Sequence, residues 1–264
     1  VGAEGSVEGD LELTITGMSE TQEATAAGGM RQNPLRLIKA DWVGSSASAL
    51  LIGYSRQDER ARLGSYGQWT ASDALLLYYD GIVGKGTDVL YPVQDPADPM
   101  GIVLAERFRY DRRFFATTLI GGSYTFLTGS TFSMEYLYNG AGYSDAEARD
   151  YYELRQNAAD HFFDGGALGG LSRQKLGESL TTGMPFLRRS YLMAQYQERQ
   201  LANSVDLMVR CVRSLEERSG QAAAIIEWQA TDRLQVFSIN TFAFGDREKE
   251  FSSILSKSFL AGVE

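Results

Sequence analysis

The chain of 264 residues has few of the residues on which metal centres, disulfide scaffolds and most hydrolases depend. It has one cysteine, Cys211, which excludes an internal disulfide framework and a cysteine-rich metal site. It has one histidine, His161, which excludes a poly-histidine metal centre, so no metal and no cofactor is expected. His161 is flanked by Asp160 and Phe162 with no serine at a fixed spacing. A G-x-S-x-G elbow is absent as well, so an enzyme is not expected. No run of about 18 apolar residues occurs, which excludes a transmembrane helix and leaves strands as the only way across a bilayer. Cations are in deficit, 25 against 34 acidic residues for a net charge of −9, and the arginines are dispersed. That excludes a nucleic-acid surface, which needs clustered cations. The opening VGAEGSVEGD lacks the basic and apolar regions of a secretion signal, so such a signal is expected upstream or already removed.

What the chain does have is strand pattern. Hydrophobic content of 44% and aromatic content of 11% exclude a disordered chain. Glycine is abundant at 28 and proline scarce at 5, a balance that suits tight turns and close strands. The clearest stretch is Arg113–Gly140, which reads as two long strands joined at Leu127-Thr128-Gly129-Ser130. From Thr131 the second arm alternates: Phe132, Met134, Tyr136 and Tyr138 on one face, Ser133 and Glu135 on the other. Strands of about 9–11 residues suffice to cross a bilayer at a tilt.

The same pattern recurs along the chain. Strands are expected at Gly9–Met18, Leu35–Val43, Ser48–Arg56, Ala61–Thr70, Ala74–Gly84, Ile102–Phe126 and Ser130–Asn139. They resume at Ser190–Glu198, Ser204–Leu215, Ala222–Ala230, Leu234–Phe244 and Ser253–Val263. Between them Lys85–Gly101 carries three prolines and reads as a loop. Gly140–Arg189 breaks the pattern. Inside it Asp145–Phe163 reads as a helix capped by Ser144, with acidic residues in its first turn. The acidic run Asp145, Glu147, Asp150 and Glu153 reads as a solvated helix face, Asp95–Asp98 as a turn, and Gly165, Gly166, Gly169 and Gly170 as hinges. Connections alternate between short and long, so short turns gather at one end of a meander and long loops at the other. Sandwiches with crossing connections do not sort their loops this way.

With that pattern the chain resembles the bacterial outer-membrane β-barrel, porin-like proteins. The resemblance is carried by SYTFLTGSTFSMEYLYNG, DALLLYYDG, DRLQVFSINTFAFGD and the closing SSILSKSFLAGVE. Such barrels usually end in an aromatic residue, whereas Glu264 stands last here, so further terminal residues or a different assembly signal are expected. The resemblance implies an all-β fold: one transmembrane antiparallel up-and-down barrel over 1–264, of about twelve strands or more, with 140–189 as a long extracellular loop or plug. It places the chain in the bacterial outer membrane, with the lipid bilayer as its surroundings.

In that setting Phe114, Ile120, Tyr124, Phe126, Leu192, Tyr196, Val205, Leu207, Val209, Ile226 and Trp228 join the apolar face of the hairpin toward lipid. The lumen would be lined by Glu12, Arg62, Gln68, Glu135, Gln195, Gln197, Asp206, Arg210, Glu227 and Gln229. Phase is ambiguous in Leu35–Val43 and Leu234–Phe244, and Cys211 reads as an inert apolar position. The expected function is a porin-like channel passing small polar solutes or ions. Two alternatives stand beside it: a barrel that sheathes or scaffolds a protein partner in a larger assembly, and a soluble all-β binding module.

Overall fold

The computed structural model describes residues 9–21, 32–56, 61–106, 113–201, 204–231, 233–246, 249–252 and 257–263, with backbone alone for 9–21, 32–36 and 56. Its strands and helices, in chain order, begin with β1 (Gly9–Thr21), β2 (Gln32–Gly44), β3 (Ala47–Arg56), β4 (Arg62–Thr70) and β5 (Leu75–Lys85). There follow β6 (Tyr91–Gln94), β7 (Ile102–Ala105), β8 (Phe114–Thr125), β9 (Thr131–Asn139), α1 (Asp145–Asp160) and α2 (Gly166–Ser179). The rest are β10 (Ser190–Leu201), β11 (Val205–Ser214), β12 (Gly220–Thr231), β13 (Leu234–Phe244) and β14 (Lys257–Val263).

All strands except β6 and β7 form one 12-stranded sheet in sequence order, every neighbouring pair antiparallel. The fold is therefore all-β and up-and-down with two helices, as the alternation implied. Among the described residues β1 pairs only with β2 and β14 only with β13, which leaves the sheet two edges. β6 and β7 make a separate hairpin. Loop length sorts by end: the turns at 45–46, 71–74, 126–130 and 232–233 share one end, and the connections 86–113, 140–189, 215–219 and 245–256 share the other. The expected loops at 22–31 and 57–60 lie outside the described residues.

Because side chains alternate along a strand, the register fixes two faces. One rung runs Gly67, Tyr79, Ile120, Tyr136, Leu192. Its neighbour on the opposite face runs Asp80, Leu119, Leu137, Tyr191. The first face is apolar and bare. Ile120 is 57% exposed, Met134 47% and Phe259 70%. Leu51, Leu63, Trp69, Ile226 and Trp228 stand exposed on it too. Among the described side chains the sheet buries almost nothing apolar: of the buried apolar ones only Tyr191 and Ala223 belong to it.

The core lies instead in the long connections. Val89, Tyr91, Tyr143, Ala148, Tyr151 and Leu187 form one cluster, with Ile102, Leu154 and Ala158 buried as well. Rings of Tyr91, Tyr143 and Tyr151 stack in sequence at 5.6 Å. Each ring satisfies its hydroxyl on backbone: Tyr91 on the Ala141 carbonyl at 2.9 Å, Tyr143 on that of Leu90, Tyr151 on that of Ser179 at 2.8 Å. Helix α1 starts where Ser144 Oγ accepts from the Glu147 amide and the Glu147 carboxylate accepts from the Ser144 amide. Helix α2 packs on α1, and its Lys175 ammonium pairs in a buried setting with Asp98 at 2.8 Å. Burial works against the Asp98 charge, but Lys175 and the Met100 amide outweigh it and hold that carboxyl below its usual range. We call these connections the cap and the 12-stranded sheet the wall.

Three expectations differ from the structure. The single strand expected at Ile102–Phe126 is two strands in two sheets, β7 and β8, with 107–112 outside the described residues. The loop expected at Lys85–Gly101 holds β6, since Pro92 sits on a two-stranded hairpin where a missing amide costs little. The helix expected to reach Phe163 ends at Asp160, because His161 turns aside to meet Asp164 at 2.8 Å.

Candidate functional site

Two arrangements at the capped end of the wall have chemical character. The first is a buried polar hub that ties four separate segments together. Tyr191, the first residue of β10 after Ser190, faces the inner side and is fully buried. Its hydroxyl accepts from the Arg188 amide at 2.6 Å and donates to Glu250 at 2.5 Å. The second Glu250 oxygen accepts from the Leu187 amide at 2.8 Å, and the Glu250 amide donates to Glu217 at 3.3 Å. Glu217 also accepts from the Tyr152 hydroxyl of α1 at 2.9 Å and lies 3.4 Å from the Arg188 guanidinium. Arg188 completes the set by pairing with Asp145 and donating to the Ser144 carbonyl at 2.9 Å.

The hub puts two carboxylates, Glu217 and Glu250, against one guanidinium. Burial pushes Glu250 up to about 7, Glu217 adding to the rise while Tyr191, Leu187 and Arg188 oppose it. Arg188 hydrogen-bonds to Asp145 and holds that carboxyl below its ordinary range. Burial works against the Arg188 charge, but Asp145 and Glu217 more than offset this and push its pKa up. Chemically the hub is a clasp. Most of its donors and acceptors meet one another, while the buried Arg188 Nε, 3.4 Å from Glu217, has no hydrogen-bond partner.

The second arrangement is on the inner face. Segment 183–187 turns down against the wall, held where Asn139 donates to the Phe186 carbonyl at 3.1 Å. Phe186 meets Tyr191 with ring centres 4.6 Å apart, and Tyr191 in turn meets Phe251 at 6.2 Å. Phe186 thereby separates two cavities. One, of about 430 Å³, lies between β5, β8, β9 and the 183–187 segment, with Leu119, Leu137, Phe115 and Met193 among its walls. The other, of about 420 Å³, has Glu135, Gln195, Arg210 and Gln221 together with Phe251. Glu135 is fixed by the Tyr78 hydroxyl at 2.5 Å. The Tyr78 ring reaches it by lying over Gly121, where an added Cβ would stand 2.7 Å from the ring.

The register carries Arg62, Gln68, Glu135, Gln195, Gln197, Asp206, Arg210, Glu227 and Gln229 to this inner face. Glu12 falls on the same side by its register with Asp41, and its side chain lies outside what is described. Of the set, Glu135, Gln195 and Arg210 share a cavity, and Arg62 stands at the edge of the other. Gln197, Asp206, Glu227 and Gln229 lie toward the turn end, where Glu227 accepts from Gln235 at 3.1 Å. The residues assigned to lipid, from Phe114 to Trp228, share the bare face. Phe126 is the exception, standing in the turn after β8.

Of the acidic run, Glu147 is buried at its helix start, Asp145 is exposed and pairs with Arg188, and Glu153 is exposed. Asp95–Asp98 is a turn whose carboxylates accept from the Ala97 and Met100 amides. Gly165 precedes α2, and Gly166, Gly169 and Gly170 lie within it. Among the described residues no three His, Cys, Asp or Glu side chains cluster as a metal site. The hub was not visible in advance, because Tyr152, Arg188, Glu217 and Glu250 come from separate connections. The one local signal is Tyr191, an aromatic in the polar phase of its strand. The chain matches no protein-family model, no curated protein and no solved structure.

Proposed function

We propose that the chain is a porin-like channel of a bacterial outer membrane, its wall a transmembrane barrel and its cap partly filling one mouth. One observation carries this reading: burial in the sheet is inverted. A water-soluble sheet of this size covers its apolar face, since large exposed apolar patches are unfavourable in water. Here, among the described side chains, the apolar face is bare and its charges, Lys85, Glu198, Arg213 and Lys257, stand toward the strand ends, while the opposite face carries charges at mid-strand. Hydrocarbon would cover that face, and closure of the two edges would satisfy the backbone groups a bilayer leaves unpaired. Strand lengths of 9–13 residues through most of the sheet suit a tilted crossing.

Charges of both signs on the inner face, among them Asp80, Glu135, Arg210 and Glu227, would give the lumen a transverse field. The 183–187 segment and Phe251 narrow it, which favours small solutes and disfavours a wide sheath around a protein partner. The test has two readouts. The overexpressed full chain should fractionate with outer membranes and require detergent, and in planar bilayers it should give small, discrete conductance steps. Monodisperse recovery without detergent would sink the barrel and favour the soluble binding module. Very large conductance would favour the sheath.

A further inference from the structure

The two cavities flanking Phe186 differ in a way that selects cargo. The one containing Arg210 has Glu135, Gln195 and Gln221 in its lining as well, with Glu135 held by Tyr78. The one against β8 and β9 has most of its polar side chains engaged with one another or with backbone. Its Asn139 is buried, donates to the Phe186 carbonyl and accepts from the Ala141 amide at 3.2 Å. Arg62 at its rim pairs with Asp88 at 3.1 Å, and Thr87 accepts from the Val89 amide at 3.2 Å. What remains toward the space is chiefly hydrocarbon and thioether: Leu119 and Leu137 paired across β8 and β9, with Phe115, Met184 and Met193, beside the one hydroxyl of Thr117.

We propose that this cavity is a binding site for an uncharged, predominantly apolar small molecule, and that the channel carries that class in preference to ions or sugars. The proposal rests on the channel reading for transport, while the binding site itself does not. Its volume of about 430 Å³ falls within the range of about 300–1,000 Å³ typical of small-molecule sites. The rim offers a paired cation and anion and so no net charge for an ionic cargo to exploit. A molecule with an apolar body would gain contact with Leu119, Leu137, Phe115 and Met193.

The test uses N-phenyl-1-naphthylamine, an uncharged dye that fluoresces in apolar surroundings and that intact outer membranes exclude. Titrated into the purified full chain, the dye should bind saturably. Leu119→Asp, which places a charge in the cavity, and Leu137→Trp, which fills it, should each weaken binding by about tenfold or more. In cells, expression of the chain should admit the dye faster than sucrose, and both variants should reduce dye entry while remaining in the outer-membrane fraction. Non-saturable binding, or binding unchanged in both variants, would overturn the site. Sucrose entry matching dye entry would overturn the cargo preference. Failure to reach the membrane would refute the channel reading alone, since the titration on the purified chain stands apart from it.

Discussion

The wall and the cap obey opposite rules of burial within one chain. In the cap, apolar side chains go inside, tyrosine hydroxyls find carbonyl partners, and charges are paired or exposed, as in any water-soluble domain. In the wall the large apolar side chains stand outside, and the inner face mixes charges with leucine and methionine. The contrast gives the cap a core of its own, whereas on the proposed reading the wall would be held by what surrounds it. A substitution that is harmless in one should therefore be costly in the other.

The largest break in that contrast should come from Arg188→Ala, which leaves Glu217 buried without its cation. Removing one partner of a buried pair costs about 3–5 kcal/mol. Hydrogen exchange should show amides of α1 and α2 losing protection while β3 to β5 keep theirs. Next is Met134→Arg at mid-wall, expected to cost about 2–4 kcal/mol in a bilayer if the residue lies near the midplane. Denaturant unfolding from vesicles measures it. A matched Leu168→Arg on the exposed surface of α2 should cost little by the same measurement.

The third prediction concerns pH. Glu250 is pushed up to about 7 in the closed cap, against an ordinary value of 4.5. Below about 4.5 the carboxyl is neutral whether the cap is closed or open, and no penalty arises. Between these values the open form ionises first, so closure weakens as pH rises and levels off above about 7. At 1.36 kcal/mol per unit the whole effect amounts to roughly 3 kcal/mol. Protection of the cap amides should fall as pH rises from about 4.5 to about 7, and Glu250→Gln should flatten that part of the profile. The smallest effect should come from the turn end. Gly129 has φ of +90° with open space around its Cβ position, so Gly129→Ala should cost about 1 kcal/mol through backbone strain alone. Thermal unfolding should shift by only a few degrees.

The wall was legible because each strand carries its own evidence. Phe132 through Tyr138 alternate without help from any distant residue, and the turn after Phe126 follows from Gly129. Ser144 and Glu147 announce the start of α1 in the same local way. The strand β13 resisted phasing because Ser238 and Asn240 share the bare face while Phe237 and Ile239 point inward, so both phases contain apolar residues. Helix α2 was hidden by its glycines, since it is held by packing on α1 rather than by propensity. The hub, too, was illegible for a physical reason: nothing in the sequence near Glu250 says that it will meet Leu187 and Tyr191. The inner face was expected to be polar, and Leu119, Leu137 and Met193 show that half of it near the cap is not.

The hub also bears on the order of events in folding. Most wall strands pair with the next strand in sequence, which lets hairpins form one by one, while β5 with β8 and β9 with β10 pair across the cap connections. Glu250, Glu217, Arg188 and Tyr152 meet only after the strands between them are in register. The clasp is thus a checkpoint on the wall between β9 and β13. It closes on a correctly registered sheet, and a one-residue slip in any intervening strand would leave its carboxylates with no cation to meet.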